Sequence, residues 1–149
     1  MTDKVRTKVI KLDGVRLKVP MHWDDVTREL SPTGRPFTLA SSKDEVGALQ
    51  VSLANYLSGE IPNPTAKDLM SMLLEFSTRR RLGKPIDTNV TVGDKRYARA
   101  SFRSEGDFVR VWYLSDGQNL AMVTYICPWK DRKIQLEECQ QIVESLEFI

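Results

Sequence analysis

The sequence predicts an α+β fold, a twisted antiparallel sheet of about six to eight strands with two main helices packed on it. Three observations predict it. Residues 95–127 read as three consecutive strands joined by two tight turns. Two other segments repeat apolar residues at helical spacing, with Leu69, Met72, Leu73 and Phe76 in one and Ile134, Cys139, Ile142, Val143 and Leu146 in the other. The order along the chain is strands, one helix, strands, one helix, which an antiparallel sheet with helices laid on it accommodates economically.

The first strand covers residues 4–12, where Val5, Val9 and Leu12 alternate loosely. Asp13-Gly14 is a hairpin turn, and Val15, Leu17 and Val19 then form a period-two face that Pro20 ends. Residues 21–25 are expected to be a loop or a short helical turn, and residues 31–36 (SPTGRP) a loop rich in turn formers. Residues 37–41 read as a short strand, 42–46 as a turn, and 47–57 as a longer strand with Leu49, Val51 and Leu53 on one face.

The clearest helix follows Pro62 and Pro64, with Thr65 as its cap and Asp68 three residues on. Arg79-Arg80-Arg81 falls in its last turn, where cations complement the helix dipole, and Gly83 and Pro85 stop it. Residues 87–92 are the next strand. In residues 95–103, Ala98, Ala100 and Phe102 point one way while Tyr97, Arg99, Ser101 and Arg103 point the other. With Asp116-Gly117 as the turn centre, Trp112 would face Ala121, Arg110 Val123, and Phe108 Tyr125. Val109, Val111, Tyr113, Leu120, Met122 and Thr124 then share the apolar face that should take a helix. The second helix is expected to start at Asp131, and Phe148 and Ile149 to dock on the sheet.

At 149 residues, 41% hydrophobic and 28% charged, the chain is read as a single domain, 1–149, with a full-sized core. A net charge of +2, from 22 basic and 20 acidic residues, lacks the concentrated basic field of a nucleic-acid binder. Residues 1–13 hold no continuous apolar region, and no run approaches the ~20 apolar residues of a spanning helix, so a cytoplasmic protein without membrane insertion is expected. Cys127 and Cys139 fit no zinc or redox spacing and read as free buried thiols, a disulfide requiring suitable geometry.

One histidine, His22, restricts metal ligation and any nucleophile-base pair to that residue. Asp24 and Asp25 are adjacent and point apart on an extended chain, and the glycines are scattered singly at turns, so no phosphate loop is present. No enzyme, cofactor or metal is expected. Arg79-Arg80-Arg81 suits either an anionic partner or plain dipole complementarity. Tyr97, Arg99, Arg110 and Trp112 combine the residue types that dominate protein–protein contacts, and they form the candidate partner-binding face. The alternative is that the second helix covers this face and makes its aromatics core. Loop residues Glu60 and Ile61 complete the candidate set.

The strand ending Val19-Pro20 with Trp23 just after it, and the closing Ile142-Val143-Glu144-Ser145-Leu146-Glu147-Phe148, resemble the opening and the terminal helix end of the PsbP/DcrB-like superfamily. The resemblance implies an α/β/α sandwich whose members mostly bind proteins. Two bacterial roles are then expected: an immunity protein neutralising a cognate toxin or, alternatively, a chaperone or adaptor loading type VI secretion effectors. Residues 108–125 look more like immunity-type proteins. The expected partner is a toxin or secreted effector protein, and the chain itself is expected to be a monomer or homodimer.

Overall fold

The computed structural model describes residues 6–55, 63–93 and 95–149. Along the chain, β1 (Thr7–Leu12), β2 (Val15–Pro20) and β3 (Trp23–Asp25) precede α1 (Thr27–Leu30), β4 (Phe37–Ser41) and β5 (Ala48–Asn55). Then come α2 (Ala66–Arg79), β6 (Asp87–Thr91), β7 (Arg96–Ser104), β8 (Asp107–Ser115), β9 (Asn119–Pro128), α3 (Leu136–Ser145) and β10 (Glu147–Phe148). Seven strands form one antiparallel sheet in the order β3-β4-β5-β9-β8-β7-β6, and β1-β2-β10 form a second, also antiparallel.

The alternation in β7, β8 and β9 sorts the core into two layers. Ala98, Ala100, Phe102, Val109, Val111 and Tyr113 pack against Leu69 and Leu73 of α2. The opposite face carries Phe108, Trp112, Leu114, Val123 and Tyr125 against Cys139, Ile142, Val143 and Leu146, with Val15, Leu17 and Val19 of β2 completing the layer. Helix, sheet and a mixed helix-and-sheet layer therefore stack as the alternation predicts. The two short sequence motifs of the resemblance meet in this stack. Ser145 Oγ accepts from the Lys18 N–H at 2.8 Å, and Phe148 pairs with Val15.

Local chemistry explains the element ends. Thr65 and Asp68 form a reciprocal capping box, the Thr65 N–H donating to Asp68 at 2.8 Å and the Asp68 N–H to Thr65 Oγ1 at 3.1 Å. Hydrogen bonding to the carboxylate by the Thr65 backbone N–H, and after it by the Thr65 side chain, holds the Asp68 carboxyl below its ordinary value. Helix α2 stops before Gly83. Arg81 takes the left-handed conformation (φ 56°), its N–H donates to the Thr78 carbonyl and that of Leu82 to the Ser77 carbonyl. Leu82, tucked against the α2 layer, rewards this early stop. Between β7 and β8, Glu105 and Gly106 both have positive φ, the geometry of a two-residue turn matched to strand twist.

Three local expectations are corrected, and one element is new. Residues 23–25 form a strand, because Trp23 is fully buried and pairs with Ser41. The β8–β9 register is displaced by two residues: Trp112 faces Val123, Arg110 faces Tyr125 and Phe108 faces Cys127. The cause lies in the turn, where the Asp116 carboxylate accepts from the Gln118 and Asn119 N–H groups at 2.9 and 2.8 Å, so the strands first pair at Ser115 and Leu120. An even displacement keeps every side chain on its expected face. The second helix begins at Leu136 after a short 3₁₀ turn at Trp129–Asp131, and Ile134 is 50% exposed. Gln135 is buried instead, accepting from the Tyr125 hydroxyl at 2.8 Å and donating to the Asp44 carbonyl. Finally, α1 is an unpredicted turn, held by bonds from the Thr27 N–H and hydroxyl to Asp25.

Candidate functional site

The sequence-predicted face is brought together in space but turned inward. Arg99 pairs with Trp112 across β7 and β8, Ser101 with Arg110, and Tyr97 with Leu114. Trp112 has no exposed surface, and its indole N–H donates to Gln140 Oε1 of α3 at 3.1 Å. Arg110 is 8% exposed; its Nε donates to Ser101 Oγ at 2.8 Å and its guanidinium lies 3.7 Å from Asp87. Burial pulls the Arg110 pKa down while the Asp87 carboxylate opposes that shift. Its cation also sits over Phe108 and Trp112, at 5.8 and 5.9 Å from the ring centroids.

Trp112 and Arg110 are therefore interior supports, and their expected place at a contact surface is corrected: α3 covers them. Arg99 and Tyr97 are half-buried at the margin of this layer, and the Arg99 Nε is buried without a partner among the described residues. Glu60 and Ile61 lie outside the described residues.

Open surface is found on the other face of the large sheet. Helix α2 packs mainly on β6, β7 and β8, and Gln50 of β5 and Ile126 of β9 stay exposed. A groove of about 680 Å³ results. Its floor is Gln50 and Ser52 of β5 with Met122, Thr124 and Ile126 of β9. The C-terminal end of α2 supplies one wall through Phe76, Arg80 and Leu82, and Arg35, Pro36 and Phe37 supply the other. Arg80 stacks over Phe76 at 5.5 Å, and Arg35 approaches Asp13 at 3.6 Å. The groove thus combines an apolar wall, an amide-and-hydroxyl floor and two guanidinium groups at its rim.

Sequence reading missed this site, although its parts were visible. Gln50 and Ser52 alternate with core residues of β5, and Arg80 belongs to the arginine run at the end of α2. What could not be read from them is that α2 is displaced toward β6 and leaves this half of the face open.

Groups that carry chemistry elsewhere are otherwise engaged. His22 Nε2 lies 2.9 Å from Glu138 Oε2, and the Trp23 indole donates to the same carboxylate at 3.4 Å. Among the described residues no cluster of His, Cys, Asp and Glu could hold a metal ion. No helix there is long and apolar enough to cross a membrane. Cys127 and Cys139 are free and buried. Burial pushes both thiols up from the ordinary range, so at neutral pH neither supplies a thiolate. A thiol reagent such as iodoacetamide is expected to label neither cysteine in the folded protein and both in denaturant. Mass spectrometry of the adducts checks this.

Compared with known proteins, this architecture defines an α+β class in which a large antiparallel sheet is flanked by a few helices. The fold is PsbP-like. The solution structure of cyanobacterial PsbP (CyanoP) from Synechocystis superposes with a TM-score of 0.68 at 12% identity, covering 98% of this chain and 94% of that one. A Bacteroides thetaiotaomicron crystal structure superposes with a TM-score of 0.57 at 15% identity, covering 91% of this chain and 45% of that one. No family model and no curated sequence matches the chain.

Proposed function

We propose that this chain is a non-catalytic protein-binding module, an immunity protein that neutralises a bacterial toxin by seating one segment of it in the groove between α2 and β9. The observation that carries the reading is the groove itself, an open half-sheet bordered by Arg35 and Arg80. Among the described residues its one acidic lining residue, Asp13, already faces Arg35. An apolar anchor flanked by carboxylates complements such a surface, and a few well-seated anchors carry most of the energy of a protein interface.

The adaptor reading draws on the apolar wall of Phe76 and Leu82 and on Met122 of the floor, which suit a hydrophobic effector helix. Gln50, Ser52 and Thr124 weigh against it, because a wholly apolar segment laid on them would leave their polar atoms unpaired.

The experiment is calorimetric titration with the toxin encoded beside this chain, together with growth protection of cells expressing that toxin. Met122→Glu and Arg80→Glu are expected to weaken binding at least ~10-fold, about 1.4 kcal/mol, and to abolish protection. Ile134→Lys, on exposed surface outside the groove, should leave both unchanged. Full affinity in both groove variants overturns the placement. Loss of effector export from cells lacking the protein, without any loss of toxin resistance, favours the adaptor.

A further inference from the structure

The sheet edges of this protein are not alike. An edge strand offers unpaired N–H and C=O groups to any passing strand, and proteins blunt such edges with brevity, charge or proline. β3 is three residues long and carries Asp24 and Asp25, the first bound to Lys8 at 2.6 Å. β1 carries Lys8 and Lys11, and β10 has two residues, of which Glu147 is held by Arg16 at 2.6 Å. β6, which closes the other end of the large sheet, carries a single charge and no proline. Its five residues include no Lys, Arg or Pro. Its one charge, the half-exposed Asp87, accepts from Ser101 of β7 (3.0 Å) and lies 3.7 Å from Arg110 of β8.

The same edge is apolar where it faces water. Ile86, Val90 and Val92 are 54%, 45% and 79% exposed. By strand alternation Val90 shares one face with Thr88, the face on which α2 lies, and Ile86 and Val92 flank the strand at its two ends. Leu74, also exposed, projects from the flank of α2 away from Phe76 and the groove.

We infer that β6 is a self-association edge, pairing antiparallel with β6 of a second copy of this chain about a two-fold axis at Asn89. The edge is complementary to its own image. Antiparallel pairing centred on Asn89 sets Val90 against Thr88 and Ile86 against Val92, each pair occurring twice. Every exposed aliphatic side chain of the edge gains a neighbour. Asp87 faces Thr91, so the one charge never meets its own image. A two-fold contact requires such a self-matching surface. The large sheet becomes continuous across both copies. The groove, over β5 and β9 and separated from this edge by β8 and β7, stays open, so this inference and the toxin-binding reading stand or fall separately.

The test is molar mass by light scattering across a protein concentration series, together with amide hydrogen exchange. The wild-type chain is expected to approach twice its single-chain mass as concentration rises, and its β6 amides to exchange more slowly in step. The double variant Val90→Lys/Val92→Lys, at side chains already in water, is expected to stay at single-chain mass. Val9→Lys on the guarded β1 edge should behave as wild type. A single-chain mass at every concentration with unchanged β6 exchange overturns the inference and leaves this edge for a foreign strand. A double mass that survives the β6 substitutions overturns it equally. The exchange measurement needs no variant, so misfolding of the double variant does not blunt the test.

Discussion

Replacing Trp112 with alanine is expected to cost about 3–5 kcal/mol of folding stability, the range for truncating a large aromatic in a packed core. The side chain is fully buried between α3 and the large sheet, facing Val123 on one neighbouring strand and Arg99 on the other. Its removal leaves a cavity that these regular elements cannot easily close. It also strips a donor from Gln140 Oε1 and a ring from beside the Arg110 cation. Trp112→Phe should cost less, because it refills most of the volume and forfeits chiefly the bond to Gln140. Equilibrium urea unfolding checks both, with the midpoint falling at an unchanged slope. An alanine variant that unfolded at the wild-type midpoint yet lost partner affinity would return Trp112 to the surface, where its residue type alone had placed it.

Gly47→Ala is expected to be the most costly of the single-methyl additions among the described glycines. A Cβ at this position would lie 2.7 Å from the Ile126 carbonyl oxygen, 2.7 Å from the Tyr125 hydroxyl and 2.8 Å from its ring. None of these atoms is free to retreat. The carbonyl belongs to β9, beside β5, and the hydroxyl is bound to Gln135, which is itself bound to the Asp44 carbonyl. Overpacking commonly costs about 1–3 kcal/mol. Displacing Tyr125 adds the price of an unsatisfied buried hydroxyl, roughly 1–3 kcal/mol. Thermal unfolding measures the sum. A variant as stable as wild type would mean that the loop before β5 moves away without loss.

Much of the architecture was legible because it rests on short-range rules. Alternation in residues 95–127 assigned each side chain to a face, and the apolar stripe of residues 69–76 announced the helix that covers one of them. The capping box at Thr65 and Asp68 was visible as a pair of residue types at the right spacing. Even the misplaced register of the β8–β9 hairpin left the faces correct, since a displacement of two residues preserves a period of two.

Residues whose state depends on distant chain were misread. Trp23 became a strand residue only because β4 lies beside it. Ile134 is exposed and Gln135 buried because Tyr125 and Asp44 supply partners for an amide that local sequence treats as surface. Trp112 and Arg110 have the composition of a contact surface, and only the path of α3 over them makes them interior.

The amino-acid sequence alone determined the strand faces, the two main helices and the α+β class, because those follow from periods and caps within a few residues. Tertiary structure alone decided which face is sealed and which stays open. Two helices share one sheet, and which strands each covers depends on packing across the whole chain, which no local pattern encodes.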